Sequence, residues 1–209
     1  MTNSYQFNGA QDWVPYFNTI FNTVQIDSVL EFGLGAGTKF LCDYVKDVVS
    51  VELSLGDYNL EWTEKTKEQL KEYDNWKLNY IQVPDEIIAS NQDAIDNRYP
   101  LKDTSYLPVL EGLVSEFLTQ KEYDIIFIDP GIHNRGDIVN MAFGHAPIVA
   151  AHDTDRTGRV LENIYGYNIV TPPENYVEIH KNELYCGTTF WVDSSVENSN
   201  VIIDVLKNA

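Results

Sequence analysis

The run Glu31-Phe32-Gly33-Leu34-Gly35-Ala36-Gly37-Thr38 puts an acid two residues before three glycines set at every second position. Glycine lets a backbone turn sharply and lets a ligand approach with no Cβ in the way. Amides at the start of a following helix can bind polar or anionic atoms. Such a loop suits a nucleoside-like ligand. The dinucleotide fingerprint Gly-x-Gly-x-x-Gly would need its third glycine where Thr38 stands. The next apolar run ends at Glu52, with Leu53 beside it. A carboxylate there can accept both hydroxyls of a ribose. The plainer alternative is a tight glycine turn followed by a solvated acid.

A second group of candidates lies further on. Tyr123-Asp124-Ile125-Ile126-Phe127-Ile128-Asp129-Pro130-Gly131-Ile132-His133 is an apolar run that ends in an acid, with a histidine four residues later. Asp129 could bind a divalent cation or orient a base. His133 has an unperturbed pKa of ~6.5, which suits removing a proton from a hydroxyl near neutral pH. A similar run ends Ala150-Ala151-His152-Asp153-Thr154-Asp155. The competing readings are structural. Asp129 would form a turn, His133 would be a loop histidine, and Asp153 would cap a helix.

These motifs need elements to hold them. Trp13, Phe17, Ile20, Phe21 and Val24 recur at helical spacing and predict a helix over 11–23. Short apolar runs predict strands over 28–32, 47–52, 76–83, 123–129 and 145–151. Helices are expected between them, over 37–46, 57–73, 110–119, 135–143 and 156–165. Two closing strands, 176–180 and 188–192, flank a short turn, and 201–206 reads as helical. The stretch 84–108 holds Pro84, Pro100 and Pro108 and reads as an insertion with a short helix near 87–94.

Strands alternating with helices imply an α/β fold. The expected architecture is a Rossmann-like three-layer αβα sandwich around a seven-stranded, mainly parallel sheet. One strand near the C-terminus is expected to be antiparallel. Ligands bind such sheets beyond the carboxyl ends of the strands, and every motif above sits at a predicted strand end. The expected division is a helical cap or lid over 1–26 and one catalytic domain over 27–209, with 84–108 inserted.

Bulk composition narrows the function. The chain has 209 residues, 44 % of them hydrophobic, enough for one domain with a full core. Its formal net charge of −18 disfavours nucleic acid and anionic membranes as partners. Two cysteines are too few for a disulfide framework. The first ten residues lack the basic and apolar regions of a signal peptide. A cytoplasmic protein with no membrane partner is expected. A homo-oligomer is compatible with all of this.

The acid-x-Gly-x-Gly-x-Gly loop, with Glu52 after the second strand, resembles the first motifs of class I S-adenosylmethionine-dependent methyltransferases. The run ending at Asp129 and His133 resembles the Asp-Gly-x-His strand end of small-molecule and sugar O-methyltransferases, with Pro130 as one extra residue. The resemblance implies S-adenosylmethionine as cofactor, bound by Glu31, Phe32, Gly33, Gly35, Gly37, Thr38, Glu52, Leu53 and Asp129. It implies His133 and Asp129 as base and orienter. It also implies Mg²⁺ between Asp129 and Asp153, with His152 and Asp155 as lesser candidates. The acceptor would be a hydroxyl of a small molecule, a sugar or other polyhydroxylated compound. Two alternatives stay open: a binding protein that keeps the cofactor loop without turnover, and a nicotinamide-dependent oxidoreductase.

Overall fold

The computed structural model describes residues 12–54, 60–90, 107–131, 134–154, 165–181 and 186–209. The whole 91–106 part of the insertion, His133, Asp155 and residues 156–164 of the helix expected over 156–165 lie outside these residues.

The strands are β1 (Ser28–Phe32), β2 (Asp47–Ser54), β3 (Trp76–Gln82), β4 (Ile125–Ile128), β5 (Ile148–His152), β6 (Tyr176–Lys181) and β7 (Thr188–Asp193). They form one seven-stranded sheet in the order β3-β2-β1-β4-β5-β7-β6. β1 to β5 pair in parallel, and β7 runs antiparallel to both β5 and β6. This is the expected sheet, down to its single reversed strand.

The helices are α1 (Val14–Thr23), α2 (Thr38–Tyr44), α3 (Leu60–Leu70), α4 (Asp85–Ser90), α5 (Leu107–Thr119), α6 (Arg135–Ala142) and α7 (Ser199–Asn208). Pro15 and Pro108 sit in first turns, where a missing N–H costs no helical bond. A short 3₁₀ turn spans Tyr167–Ile169.

The central strands read as unbroken apolar runs because both faces of the sheet are covered. On one face Leu30, Phe32, Ile126 and Ile128 pack with Leu110 and Val114 of α5 and Ile138 of α6. On the other, Val29, Ile125 and Phe127 pack with Phe17 and Ile20 of α1, Leu41 of α2 and Ile202 of α7. The described part of the segment expected as a cap, α1, is therefore a member of the sheet's own helical layer. Among the described residues no helix is long and apolar enough to cross a membrane.

The order places β1 and β4 side by side at the centre, with the turn in strand order between them. Their carboxyl ends deliver the glycine loop and Asp129 to one spot. β5 brings His152 and Asp153 to the same edge.

Candidate active site

The glycine loop leaves β1 and enters α2. Gly33 has φ +96°, and its N–H donates to the Val51 carbonyl at 2.8 Å. A Cβ there would lie 2.3 Å from the Asp129 carbonyl oxygen. Only glycine lets the two strand exits touch, and the Asp129 N–H donates to the Phe32 carbonyl at 2.8 Å. At Gly37 a Cβ would lie 2.2 Å from Cζ2 of Trp13, so an indole fills the room that glycine leaves. Trp62 of α3 donates its Nε1–H to the Leu34 carbonyl at 2.9 Å.

Glu31 lies beneath this loop and is only 3 % exposed. Ser50 Oγ donates to it at 2.7 Å and Thr38 Oγ1 at 2.9 Å. Each hydroxyl also accepts an N–H, from Trp76 Nε1 at 2.9 Å and from Gly35 at 3.0 Å. Those incoming donors leave each hydroxyl proton free to point at the carboxylate. Among the described residues Glu31 forms no ion pair. Burial pushes its carboxyl up to about 8, against the pull of Ser50 and Thr38 and with help from the charges on Asp129 and Glu52.

A cavity of about 160 Å³ opens between the loop and the two indoles, lined by Trp13, Glu31, Gly33, Gly35, Trp62 and Asp129. That is below the roughly 300–1,000 Å³ of a whole small-molecule site. It has room for the amino-acid end of a nucleoside cofactor. Glycines without Cβ atoms and a buried carboxyl lacking a cation fit the ammonium end of S-adenosylmethionine.

The raised Glu31 carboxyl has a measurable consequence. The folded chain holds a proton there that the unfolded chain releases near the ordinary glutamate value of 4.5. Its contribution to stability therefore falls as pH rises from about 4.5 through 8 and levels off above. Thermal melts of Glu31→Gln across this range should lack that decline. A Glu31→Gln melting profile parallel to wild type would assign the proton elsewhere.

The second cluster joins β4, β5 and α6. His152 is 3 % exposed, with Nε2 2.7 Å from Asp12 Oδ1 and Nδ1 3.3 Å from Asp129 Oδ2. Burial favours the neutral ring, but the charge on Asp129, the hydrogen bonds to Asp12 and Asp129 and the charge on Asp153 outweigh it. They push His152 up to about 10. Asp129 stays below its ordinary value despite burial, because His152 and Arg135 carry positive charge beside it. NH1 of Arg135 donates to Asp129 Oδ1 at 2.7 Å and to Asp153 Oδ2 at 3.0 Å. Asp153 has φ +58°, in the left-handed region that a non-glycine residue seldom adopts.

The predicted residues thus divide. Glu31, the three glycines and Asp129 meet at the cavity, with Thr38 supporting Glu31. Phe32 and Leu53 are fully buried in the core beneath. Glu52 is buried within β2, which runs two residues further to Ser54, and is 3 % exposed. Asp129 and Asp153 do converge, but the Mg²⁺ expected between them does not fit the donors as they stand. Asp129 and Asp153 each give one oxygen to the guanidinium, and the other faces the His152 ring at 3.3 and 3.8 Å. Sequence reasoning missed Asp12, Arg135 and Trp62. Trp13 entered it mainly as one position of an apolar helix face.

The strand order with one reversed strand, the helices on both faces and a glycine loop between β1 and α2 define the Rossmann-like fold of class I methyltransferases. Solved structures of that class resemble this chain. One, from Klebsiella pneumoniae and described as an O-methyltransferase, has a TM-score of 0.54 at 13% identity over 91% of this chain and 83% of its own. One from Staphylococcus aureus, described as a caffeoyl-CoA O-methyltransferase, gives 0.51 at 12% identity over 86% and 82%. A Podospora anserina methyltransferase solved with S-adenosylhomocysteine gives 0.50 at 14% over 86% and 76%. No family model and no curated protein matches the chain. At these identities the likeness is one of fold.

Proposed function

We propose that this chain transfers a methyl group from S-adenosylmethionine to a hydroxyl of a small molecule, with a sugar or other polyhydroxylated compound as acceptor class. The observation that carries the reading is the buried Glu31 carboxyl at the wall of the glycine-loop cavity. It is held by two hydroxyl donors and, among the described residues, by no ion pair. A cationic ammonium group is the partner such a carboxyl lacks.

When bound, S-adenosylmethionine supplies an electrophilic methyl on a sulfonium. The chain's residues then have separable tasks. Glu31, oriented by Thr38 and Ser50, receives the ammonium. Gly33, Gly35 and Gly37 let the backbone lie close to the cofactor. Glu52 accepts the ribose hydroxyls, and Phe32 and Leu53 form the apolar floor behind these strand ends. Asp129, whose charge is held on by its neighbours, accepts a hydrogen bond from a neighbouring hydroxyl of the acceptor and fixes its approach. The acceptor oxygen forms its bond to carbon as the carbon–sulfur bond breaks, and the electron pair stays on sulfur. His133 takes the hydroxyl proton. His152 is unsuited to that task, since it already holds its proton between Asp12 and Asp129. Most of the rate gain from such a site comes from alignment and exclusion of water.

The test compares wild type with His133→Ala. S-adenosylmethionine, and not NAD, should raise the melting temperature of both proteins. Only wild type should form S-adenosylhomocysteine with a panel of polyhydroxylated acceptors. A shift with NAD alone would make the chain an oxidoreductase. Binding without turnover on any acceptor would make it a binding protein, and full turnover by His133→Ala would remove the base assignment.

A further inference from the structure

Arg135 is the first residue of α6, a place where the helix dipole opposes a positive charge. Its side chain is nevertheless only 7 % exposed. What holds it is built around it from several elements. NH1 reaches Asp129 and Asp153 at 2.7 and 3.0 Å, and Nε donates to the Pro130 carbonyl at 2.9 Å. The Tyr165 ring lies against the guanidinium, 3.9 Å from Cζ to the ring centroid. The segment carrying Tyr165 can come this close because residue 136 is glycine. A Cβ there would lie 2.0 Å from the Gly166 carbonyl oxygen. The next tyrosine, Tyr167, donates its hydroxyl to the His152 carbonyl at 2.6 Å.

The charges leave little for a further cation. Asp129 and Asp153 each give one oxygen to the Arg135 guanidinium and turn the other toward the His152 ring. A divalent ion between these carboxylates would have to displace the guanidinium. The two carboxylates that end β4 and β5 have their cation already, and it is part of the chain.

We propose that the Arg135 guanidinium takes the place of a divalent ion between Asp129 and Asp153. Arg135 is then a positioning residue that fixes both carboxylates from within. The site works without a metal, and its acceptor does not need two oxygens to chelate one. The part of this that concerns turnover rests on the methyl-transfer reading. The part that concerns the cation does not.

Arginine cannot leave its place as an ion can, so the proposal is tested by making a vacancy. Mn²⁺ is the probe, because it accepts oxygen ligands and its paramagnetic signal reports free ion. Full-length wild type, Arg135→Ala, Arg135→Lys, Asp153→Asn and the double variant Arg135→Ala with Asp153→Asn are titrated. Wild type and Arg135→Lys should bind no Mn²⁺ up to about millimolar concentration. Arg135→Ala should bind it about tenfold or more tightly than wild type, and Asp153→Asn should cancel the gain. Wild-type binding that Asp153→Asn removes would overturn the proposal, as would a folded Arg135→Ala that gains no ion. Should Arg135→Ala not fold, wild type against Asp153→Asn decides alone. In the same preparations, turnover unaffected by a chelator is expected. Turnover that is lost to chelator and restored by Mg²⁺ would also overturn the proposal. A wild type with no turnover at all would count against the methyl-transfer reading and leave the titration intact.

Discussion

Asp129→Ala is expected to destabilise the chain by about 3 kcal/mol and to lower methyl transfer by about a hundredfold or more. Asp129 pairs with both buried cations, Arg135 at 2.7 Å and His152 at 3.3 Å, closer to each than Asp153 is at 3.0 and 3.8 Å. Removing it leaves each with one fewer counter-charge in a place that water reaches poorly. An uncompensated buried charge is what makes breaking such pairs costly. Asp129→Asn keeps the shape and one acceptor and should cost less stability. It should still lose turnover, because a neutral amide neither holds His152 protonated nor orients a hydroxyl as strongly. Urea unfolding and initial-rate assays of both variants check this. An Asp129→Ala protein as stable as wild type would mean that the cluster relaxes without strain.

Gly33→Ala should be at least as damaging, by a different route. Its φ of +96° strains any L side chain, by about 1–3 kcal/mol. The added Cβ would also meet backbone, 2.3 Å from the Asp129 carbonyl, and backbone cannot swing aside as a side chain can. The exits of β1 and β4 would have to part, which breaks the 2.8 Å bond from Asp129 N–H to Phe32. A drop of at least about 3 kcal/mol in unfolding free energy and loss of S-adenosylmethionine binding by calorimetry are expected. Retained binding would show that the loop tolerates the displacement. Gly35→Ala serves as the control for stability alone, because its Cβ would meet the Trp62 ring at 3.4 Å rather than backbone.

The contrast between these glycines shows what the sequence could and could not tell. The pattern of three glycines was legible, and so was each central strand, because burial on both faces demands an unbroken apolar run such as Ile125–Ile128. The reversed strand was legible from the short link between the last two strands. Helix ends were less so. α3 ends at Leu70, where the expected helix ran on to 73. The partners of Asp129 were hidden for a physical reason. Arg135 sits at a helix start, where local rules favour acids. Its role exists only once β4 and β5 lie side by side. Asp12 and His152 meet across 140 positions, a distance at which no local periodicity carries a signal. Trp62 lies on the helix expected over 57–73, and only the packing of α3 on the loop gives its Nε1–H a partner.

The Asp12 link also bears on when the site comes into being. Asp12 holds His152 with one oxygen and accepts the Cys186 N–H, at 2.6 Å, with the other. The second contact spans 174 positions. A ribosome must therefore deliver Cys186 before Asp12 has both partners. Until then β5 has no neighbour on its outer side, because β7, which lies between β5 and β6, is the last strand made. The glycine loop and Asp129 can assemble earlier, from strands already paired. The nascent chain thus acquires a place for the cofactor's amino-acid end first and gains its charged cluster only when nearly all of these strands have emerged. Contacts of such separation slow folding, because their loops must close before any of them is rewarded. They also leave an open strand edge in the interval, and that edge is where a chaperone would be expected to engage this chain during synthesis.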